Sequence, residues 1–224
     1  MVNVKVREWS ANALPLAKFS QKLYHYDVKL CVRRVRMNKT KRKIFETSMK
    51  LFADKGYDAT SVEEITATVG VAKGTLYYHF SSKEEIFNFL VEEGMKLLQN
   101  SVEIKTENLE NPIDKIRAVL LIQLKVMRKY DEFITILLSQ IWGTEPRHQQ
   151  FRAYIYQYMN RIESFIQEGI DKGVFRECNP RLIAEMLFGT ICPLKIYKIE
   201  KSEEFDAEKI VDELMTYTVY GILK

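Results

Sequence analysis

Apolar side chains recur every three or four positions along most of this chain, which is the period of an amphipathic helix. No segment has the alternation of apolar and polar residues that a half-buried strand requires. The pattern therefore predicts an all-α protein. Capping residues, glycines and prolines divide the predicted helices from one another. Besides Ser61 and Ser82, the predicted caps are Asn38 or Thr40, Asn111 before Pro112, Asp131, Asn179 before Pro180, and Asp206. The helices cover about 38–56, 61–69, 73–80, 82–104, 111–129, 131–142, 147–172, 179–198 and 206–222.

Two capping patterns and a glycine indicate two short helices joined by a tight turn. Ser61 with Glu64, and Ser82 with Glu85, have the spacing of capping boxes, in which each side chain bonds the backbone N–H of the other residue. Gly70 supplies the backbone freedom that a sharp turn needs. This layout is typical of a helix-turn-helix, whose second helix enters the major groove of DNA.

The second short helix has one apolar face. Leu76 and Phe80 are four residues apart, so we expect both to pack inward. In an alternative interpretation the stretch is a small helical subdomain whose aromatic residues only pack. The side chains left for the groove are Lys73, Thr75, Tyr77, Tyr78 and His79.

The runs IFETSMKLFADKGYDATSVEEI and GVAKGTLYYHFSSKEEIF resemble the DNA-binding region of the TetR (tetracycline-repressor) family of bacterial regulators. The resemblance covers about residues 41–90, and a pattern of this length is far more specific than a lone motif. Thr66 and Val69 stand where the family usually has alanine. The resemblance implies that the groove-facing side chains named above contact DNA and that Tyr77 and Lys83 hold phosphates. It also implies that the rest of the chain is a helical domain for effector binding and dimerisation.

Basic residues are concentrated in the first part of the chain. Residues 1–81 carry 15 Lys and Arg against 7 Asp and Glu, a net charge of +8, which leaves −4 of the total of +4 for the remainder. Such a division suits a DNA-binding head on a body that does not touch DNA. The start of the first helix carries a basic cluster that opposes the helix dipole, and a nearby phosphate backbone would justify it; a merely solvated face is the alternative. The full predicted DNA-binding set is Lys39, Lys41, Arg42, Lys43, Ser61, Lys73, Gly74, Thr75, Tyr77, Tyr78, His79 and Lys83.

Residues 1–36 have no sustained helical period and no apolar stretch typical of a secretion signal. They are either an extension upstream of a start at Met37 or a loosely ordered basic arm. In the second case Arg33, Arg34 and Arg36 would track DNA phosphates or enter the minor groove. We expect an N-terminal three-helix helix-turn-helix domain over 37–83 and a helical-bundle domain for ligand binding and dimerisation over 84–224.

The predicted body offers a candidate pocket for a small apolar molecule. The long helix has a core stripe, Phe151 to Ile166, and an adjacent stripe about 100° round the helix that needs a second partner. The adjacent stripe consists of Tyr154, Tyr158, Arg161 and Phe165. An apolar cavity with a few polar tips would suit a hydrophobic, aromatic or fatty-acyl effector, while plain core filling is the alternative. The predicted lining is Leu120, Leu124, Met127, Phe133, Leu137, Trp142, Tyr154 and Tyr158.

The predicted helix over 179–198 contains small residues and a proline. Gly189 permits a close approach between helices, and Pro193 is expected to kink the helix. We expect this helix and the region around Phe165 to form the interface of a homodimer, because a helix-turn-helix regulator on a palindrome needs two heads about one DNA turn apart. A bend inside a monomer core is the alternative.

Composition excludes several classes of site. Three scattered cysteines and three histidines have no metal-ligand spacing or disulfide framework, so we expect no metal and no cofactor. No apolar stretch approaches the roughly 20 residues of a membrane span, and a reducing cytoplasm fits. The sequence has no GxSxG, HExxH, P-loop or GxGxxG run, which argues against an enzyme.

We therefore predict a ligand-responsive transcriptional regulator, most simply a repressor that leaves its operator DNA when an effector binds. A DNA-packaging protein without sequence preference is an alternative, and it would show salt dependence without a preference for one DNA sequence.

Overall fold

The computed structural model describes residues 38–141, 143–190 and 206–223. These ranges hold nine α-helices and a closing 3₁₀ turn, Tyr220–Ile222; their one β-type pairing is the isolated bridge between Phe175 and Leu223. The all-α prediction is confirmed. The helices are α1 Lys39–Lys55, α2 Val62–Val69, α3 Lys73–His79, α4 Lys83–Thr106, α5 Pro112–Lys129, α6 Asp131–Gln140, α7 Pro146–Asp171, α8 Pro180–Gly189 and α9 Ala207–Tyr217.

Most helices begin at the predicted capping residues. The side chains of Asn38, Asn111 and Asn179 each accept a backbone N–H from the first turn of α1, α5 and α8, respectively. Asp131 was expected to cap α6 but is its first helical residue, because Tyr130 alone separates α5 from α6 and occupies the capping position.

Some predicted helix ends differ from the structure. Helix α6 ends at Gln140, two residues earlier than expected, and Trp142 lies outside the described residues. Helix α8 is described to Gly189, and α9 gives way to the 3₁₀ turn after Tyr217. The predictions about residues 1–37, including the basic arm, and about Pro193 also fall outside the described ranges.

Helices α1, α2 and α3 pack together with the first turns of α4. Leu76 and Phe80 are buried as predicted. Phe87 of α4 makes edge-on ring contacts with Phe52 of α1 and with Tyr57 in the loop that follows α1. The start of α4 therefore packs as part of the head. The predicted domain boundary at residue 83 separates residues that pack together.

Helix α5 is the centre of the body, where it contacts α4, α6, α7 and α9, and α7 also packs on α8. The core stripe predicted for α7 is buried. Two members of the adjacent stripe, Tyr158 and Phe165, are buried in the same core. Both stripes of α7 therefore find partners within the chain. None of the helices in the described ranges is long and apolar enough to cross a membrane.

Candidate nucleic-acid interface and effector cavity

Helix α3 buries one side and presents the other to solvent. Leu76 anchors it in the head, while Tyr77 is 45% exposed and Tyr78 is 84% exposed. Thr75 and His79 are half-buried, and the ring of His79 packs edge-on against Tyr78. Two large aromatic side chains next to each other on a basic helix are available for contacts with a partner. The structure thus brings the predicted groove-facing side chains onto one accessible helix.

The turn before α3 is built as its sequence indicates. Gly70 ends α2 in the left-handed conformation, with φ of 77°, and the N–H groups of Gly70 and Val71 both donate to the carbonyl of Thr66. Ser61 caps α2 by accepting the N–H of Glu64. The Glu64 carboxylate forms an ion pair with Lys55 of α1, so α1 and α2 are also tied by charge.

At the start of α3, Lys73 forms an ion pair with Glu63 of α2. This hydrogen bond raises the pKa of the Lys73 ammonium and lowers the pKa of the Glu63 carboxyl. Both side chains are more than half exposed, and exposed pairs of this kind contribute little to stability. Lys73 can therefore exchange Glu63 for a base edge or a phosphate at small cost.

Gly74 faces open space. A Cβ built on Gly74 would meet no atom within 4 Å, so the fold itself does not require glycine here. A bare backbone near the start of a recognition helix allows close approach to a ligand.

The basic residues of α1 divide into two kinds. Lys39, Arg42 and Lys43 are exposed, whereas the Lys41 ammonium lies 4.7 Å from the ring centroid of Phe80 and 4.6 Å from that of Phe89. Lys41 therefore also covers the core at the end of α3, and α1 is in contact with α3.

Lys83, predicted to hold a phosphate, is bound to the protein itself. Its ammonium donates to the carbonyls of Tyr57 and Thr60, both at 2.8 Å, and of Asp58 at 3.4 Å. It also lies 4.3 Å from the ring centroid of Tyr57. Lys83 thus ties the first turn of α4 to the loop between α1 and α2. Sequence reasoning missed this role because the partners are more than 20 residues away.

The body contains a partly open apolar cavity of about 50 Å³ between four helices. Two of the eight predicted lining residues, Met127 and Leu137, line it. Four of the others, Leu120, Leu124, Phe133 and Tyr158, are buried in the core and Tyr154 is half-buried, but none of these five lines the cavity. The described residues that line it are Met95, Leu98, Gln123, Val126, Met127, Ile134, Leu137, Leu138 and Phe188.

Gln123 is the one polar side chain of this lining. Its Nε2 donates to the Tyr158 hydroxyl at 3.0 Å, and its Oε1 has no hydrogen-bond partner among the described residues. Burial raises the pKa of Tyr158, so the phenol stays neutral. The signal in the sequence was a glutamine within the otherwise apolar run VLLIQL of α5.

Head and body meet at Arg147, in the first turn of α7. Its guanidinium binds both carboxylate oxygens of Asp58, at 3.2 and 3.3 Å, and lies 4.6 Å from the ring centroid of Tyr57. The side chain also pairs with Glu145 and donates to Gln140 at 3.4 Å. Arg147 therefore joins the loop of the head to the ends of α6 and α7.

The predicted dimer residues are in different surroundings. Phe165 is 3% exposed, so its side chain is already covered by its own chain. Gly189 is exposed at the end of α8. On the same face of α8, Leu182 is 54% exposed and Met186 is 51% exposed. The exposed Tyr156 of α7 lies next to the start of α8, with the Arg181 guanidinium 5.3 Å from its ring centroid. We call Tyr156, Leu182, Met186 and Gly189 the α7–α8 patch.

Two family models match the chain. Residues 44–89 match bacterial regulatory proteins of the tetR family, and residues 109–193 match the tetracyclin repressor-like C-terminal domain. A solved structure of a proposed fatty acid metabolism regulator from Clostridium perfringens is 37% identical with a TM-score of 0.74; the match covers 81% of this chain and 99% of that one. The chain belongs to the tetR family. It is a DNA-binding transcriptional regulator with an N-terminal helix-turn-helix.

Other relatives of this TetR-family regulator are more distant. The transcriptional regulator YerO of Bacillus subtilis, itself uncharacterized, is 30% identical over 148 residues, which are 62% of this chain and 50% of YerO. AibR, solved in complex with isovaleryl coenzyme A and operator DNA, is 25% identical with a TM-score of 0.65; the match covers 79% of this chain and 96% of AibR.

Proposed function

We propose that this regulator is a homodimeric repressor that binds a palindromic operator and leaves it when a small apolar effector fills the cavity. The observation that carries the proposal is the course of α4. Its first turns hold Lys83 and Phe87 in the head, and its middle places Met95 and Leu98 in the cavity wall. A change in the cavity is thereby mechanically linked to the head.

Helix α6 supplies a second connection. Ile134, Leu137 and Leu138 line the cavity, and α6 also contacts α1 of the head. An effector that shifts α4 and α6 relative to α5 changes the separation of the two α3 helices in a dimer, and the dimer then no longer matches half-sites one DNA turn apart.

The energetic requirement is modest. The effector must bind more tightly to the conformation that has no affinity for the operator than to the conformation that binds DNA. A 100-fold preference is about 2.7 kcal/mol, which is enough to empty a marginally occupied operator.

Within the DNA interface, we assign different roles to different side chains. Lys73 and Thr75, near the start of α3, would read base edges, Gly74 would allow the backbone to approach the groove closely, and Tyr77 would bind a phosphate. The remaining predicted contacts, Ser61, Tyr78, His79 and the basic cluster of α1, would position the head on the backbone. The exposure of α3 and its proximity to α1 support this division.

The effector we propose carries a short aliphatic acyl group. The cavity has room for roughly three or four heavy atoms before any side chain moves, and Met95 and Met127 are flexible enough to enlarge it. AibR, which binds isovaleryl coenzyme A, and the Clostridium perfringens relative support an acyl compound.

Three further proposals concern the whole chain. The head should extend past residue 83 to include the first turns of α4, in line with the family match over 44–89. We place the protein in the cytoplasm and assign it no enzymatic activity, because its family consists of regulatory proteins.

The test is a selection of bound fragments from random and upstream genomic DNA with purified full-length protein, at two salt concentrations. We expect a palindrome whose half-sites lie about one helical turn apart, bound far more tightly than random DNA at both concentrations. Recovery of random DNA alone, with salt-sensitive affinity, would favour the packaging protein.

A further inference from the structure

The wall of the cavity contains one hydrogen-bonding group that the described residues do not satisfy. Gln123 is 95% buried, yet its Oε1 has no partner among the described residues. Buried polar atoms are nearly always paired, so an unpaired one needs an explanation.

Turning the amide by 180° does not remove the deficit. In the observed orientation the NH₂ group donates to Tyr158 and the carbonyl is free. In the turned orientation the Tyr158 hydroxyl donates to Oε1 and the NH₂ group is free. Because Tyr158 is fully buried and offers only one hydroxyl, the pair always leaves one side of the amide open.

The remainder of the described lining is apolar. Leucine, isoleucine, valine, methionine and phenylalanine side chains surround Gln123, and none of the lining residues is charged. A carboxylate bound here would lose its hydration without gaining a cation. A plain hydrocarbon would leave the amide unpaired. A molecule that fits both the apolar lining and the open side of the Gln123 amide has an aliphatic part and one uncharged carbonyl, amide or hydroxyl group.

We propose that the Gln123–Tyr158 pair selects effectors in which a short aliphatic group carries an uncharged hydrogen-bonding group, and that it excludes free carboxylates. This inference rests on the proposed function, because it takes the cavity to be the effector site. Gln123 is the contacting residue, and Tyr158 is a positioning residue that fixes the amide.

The test compares three probes with the same carbon skeleton: 3-methylbutanamide, 3-methylbutan-1-ol and 3-methylbutanoate. Binding to the full-length protein is measured by titration calorimetry at pH 7.5, where the carboxylate is ionised. We expect the amide and the alcohol to bind at least about tenfold more tightly than the carboxylate.

The matched variant is Gln123→Leu combined with Tyr158→Phe. Replacing both partners by apolar groups of similar shape is nearly neutral for folding, so the variant should stay folded. 3-Methylbutanamide should bind this variant about 3- to 10-fold more weakly than it binds the wild type, because one neutral hydrogen bond is lost. Tyr217→Phe, which removes a hydroxyl from an 84% exposed side chain, should bind as the wild type does. If the double variant fails to fold, Gln123→Met removes the contacting amide alone and should weaken the binding of 3-methylbutanamide by at least about 3-fold.

The inference would be overturned if the carboxylate bound as tightly as the amide, or if the double variant kept the affinity for the amide. Operator affinity, measured with and without the amide, separates this inference from the proposed function. If 3-methylbutanamide binds in a way that depends on Gln123 but does not release the operator, the selective role of the Gln123–Tyr158 pair is supported and the repressor mechanism is contradicted. No binding of any probe to the wild type would contradict both.

Discussion

The hydrogen bonds that Lys83 makes within the protein predict that its substitution lowers stability. Its ammonium supplies the donors for the carbonyls of Tyr57 and Thr60. We predict that Lys83→Ala lowers the free energy of unfolding by about 1 to 3 kcal/mol, because two part-buried acceptors lose a charged donor. Urea unfolding followed by circular dichroism measures this. Lys50→Ala, an exposed lysine of α1, is the control and should change stability by less than about 0.5 kcal/mol.

The same variant separates a structural role from a phosphate contact. A lost phosphate contact reduces the slope of log affinity against log salt by about one. An unchanged slope with lowered stability would leave Lys83 only as the tie between α4 and the loop before α2.

Gly74 tests the DNA-facing side of α3 without disturbing the fold. An added methyl group has free space in the protein alone, so we predict that Gly74→Ala leaves the free energy of unfolding unchanged or raises it by up to about 1 kcal/mol. Operator binding should weaken by at least about tenfold, because the methyl group would collide with a closely approaching groove. A fluorescence anisotropy titration measures the affinity. Unchanged operator affinity would show that this backbone does not approach DNA.

At the level of single residues, the sequence predicted what periodicity and local spacing control. The Asn38 and Ser61 caps and the buried Leu76 depend on neighbours three or four positions away. The partners of Lys83 and the open side of Gln123 depend on how distant segments meet, which no local pattern contains. Leu120 and Leu124 are buried, as periodicity predicts, but they do not line the cavity, since periodicity identifies the inner face and not where the packing leaves a void.

Gly94 sets how closely α4 and α6 approach. A Cβ on Gly94 would overlap the ring of Phe133, so the ring lies directly on the backbone of α4. We predict that Gly94→Ala is destabilising, because overpacking costs about 1 to 3 kcal/mol and exceeds the gain of up to about 1 kcal/mol in helix propensity. Adding Phe133→Leu should restore part of the loss in urea unfolding. A double variant no more stable than the sum of the two single effects would contradict the contact.

Arg147 links the first turn of α7 to the loop of the head. We predict that Arg147→Ala speeds amide hydrogen exchange in residues 57–60 by about tenfold, since the loop loses charged hydrogen bonds to Asp58 and the cation above Tyr57. Exchange followed by mass spectrometry resolves this segment. Gln149→Ala, exposed on the same turn, is the control. Equal exchange in both variants would mean that Arg147 does not hold the loop.

Element boundaries were predictable where a cap or a breaker fixed them. Helices α5 and α8 start at the expected Asn-Pro pairs because both residues act within one turn. The capping position of Tyr130 at the start of α6 and the 3₁₀ turn after α9 were not predicted, because both depend on packing against the rest of the body. The close approach at Gly94 also has no local signature.

At the scale of the whole molecule, we expect a second copy of the chain to bind the α7–α8 patch. The α7–α8 patch is apolar, and Gly189 would allow a partner helix to approach closely. We predict that Leu182→Glu shifts the protein from dimer to monomer in sedimentation velocity at micromolar concentration, because a charge would be buried against a partner's apolar surface. Operator affinity should fall by at least about tenfold, since two linked heads bind more tightly than one. Tyr217→Glu places the same charge at an 84% exposed position of α9 and should leave both the dimer and the operator affinity unchanged. A dimer that survives Leu182→Glu and dissociates with Tyr217→Glu would move the interface to α9.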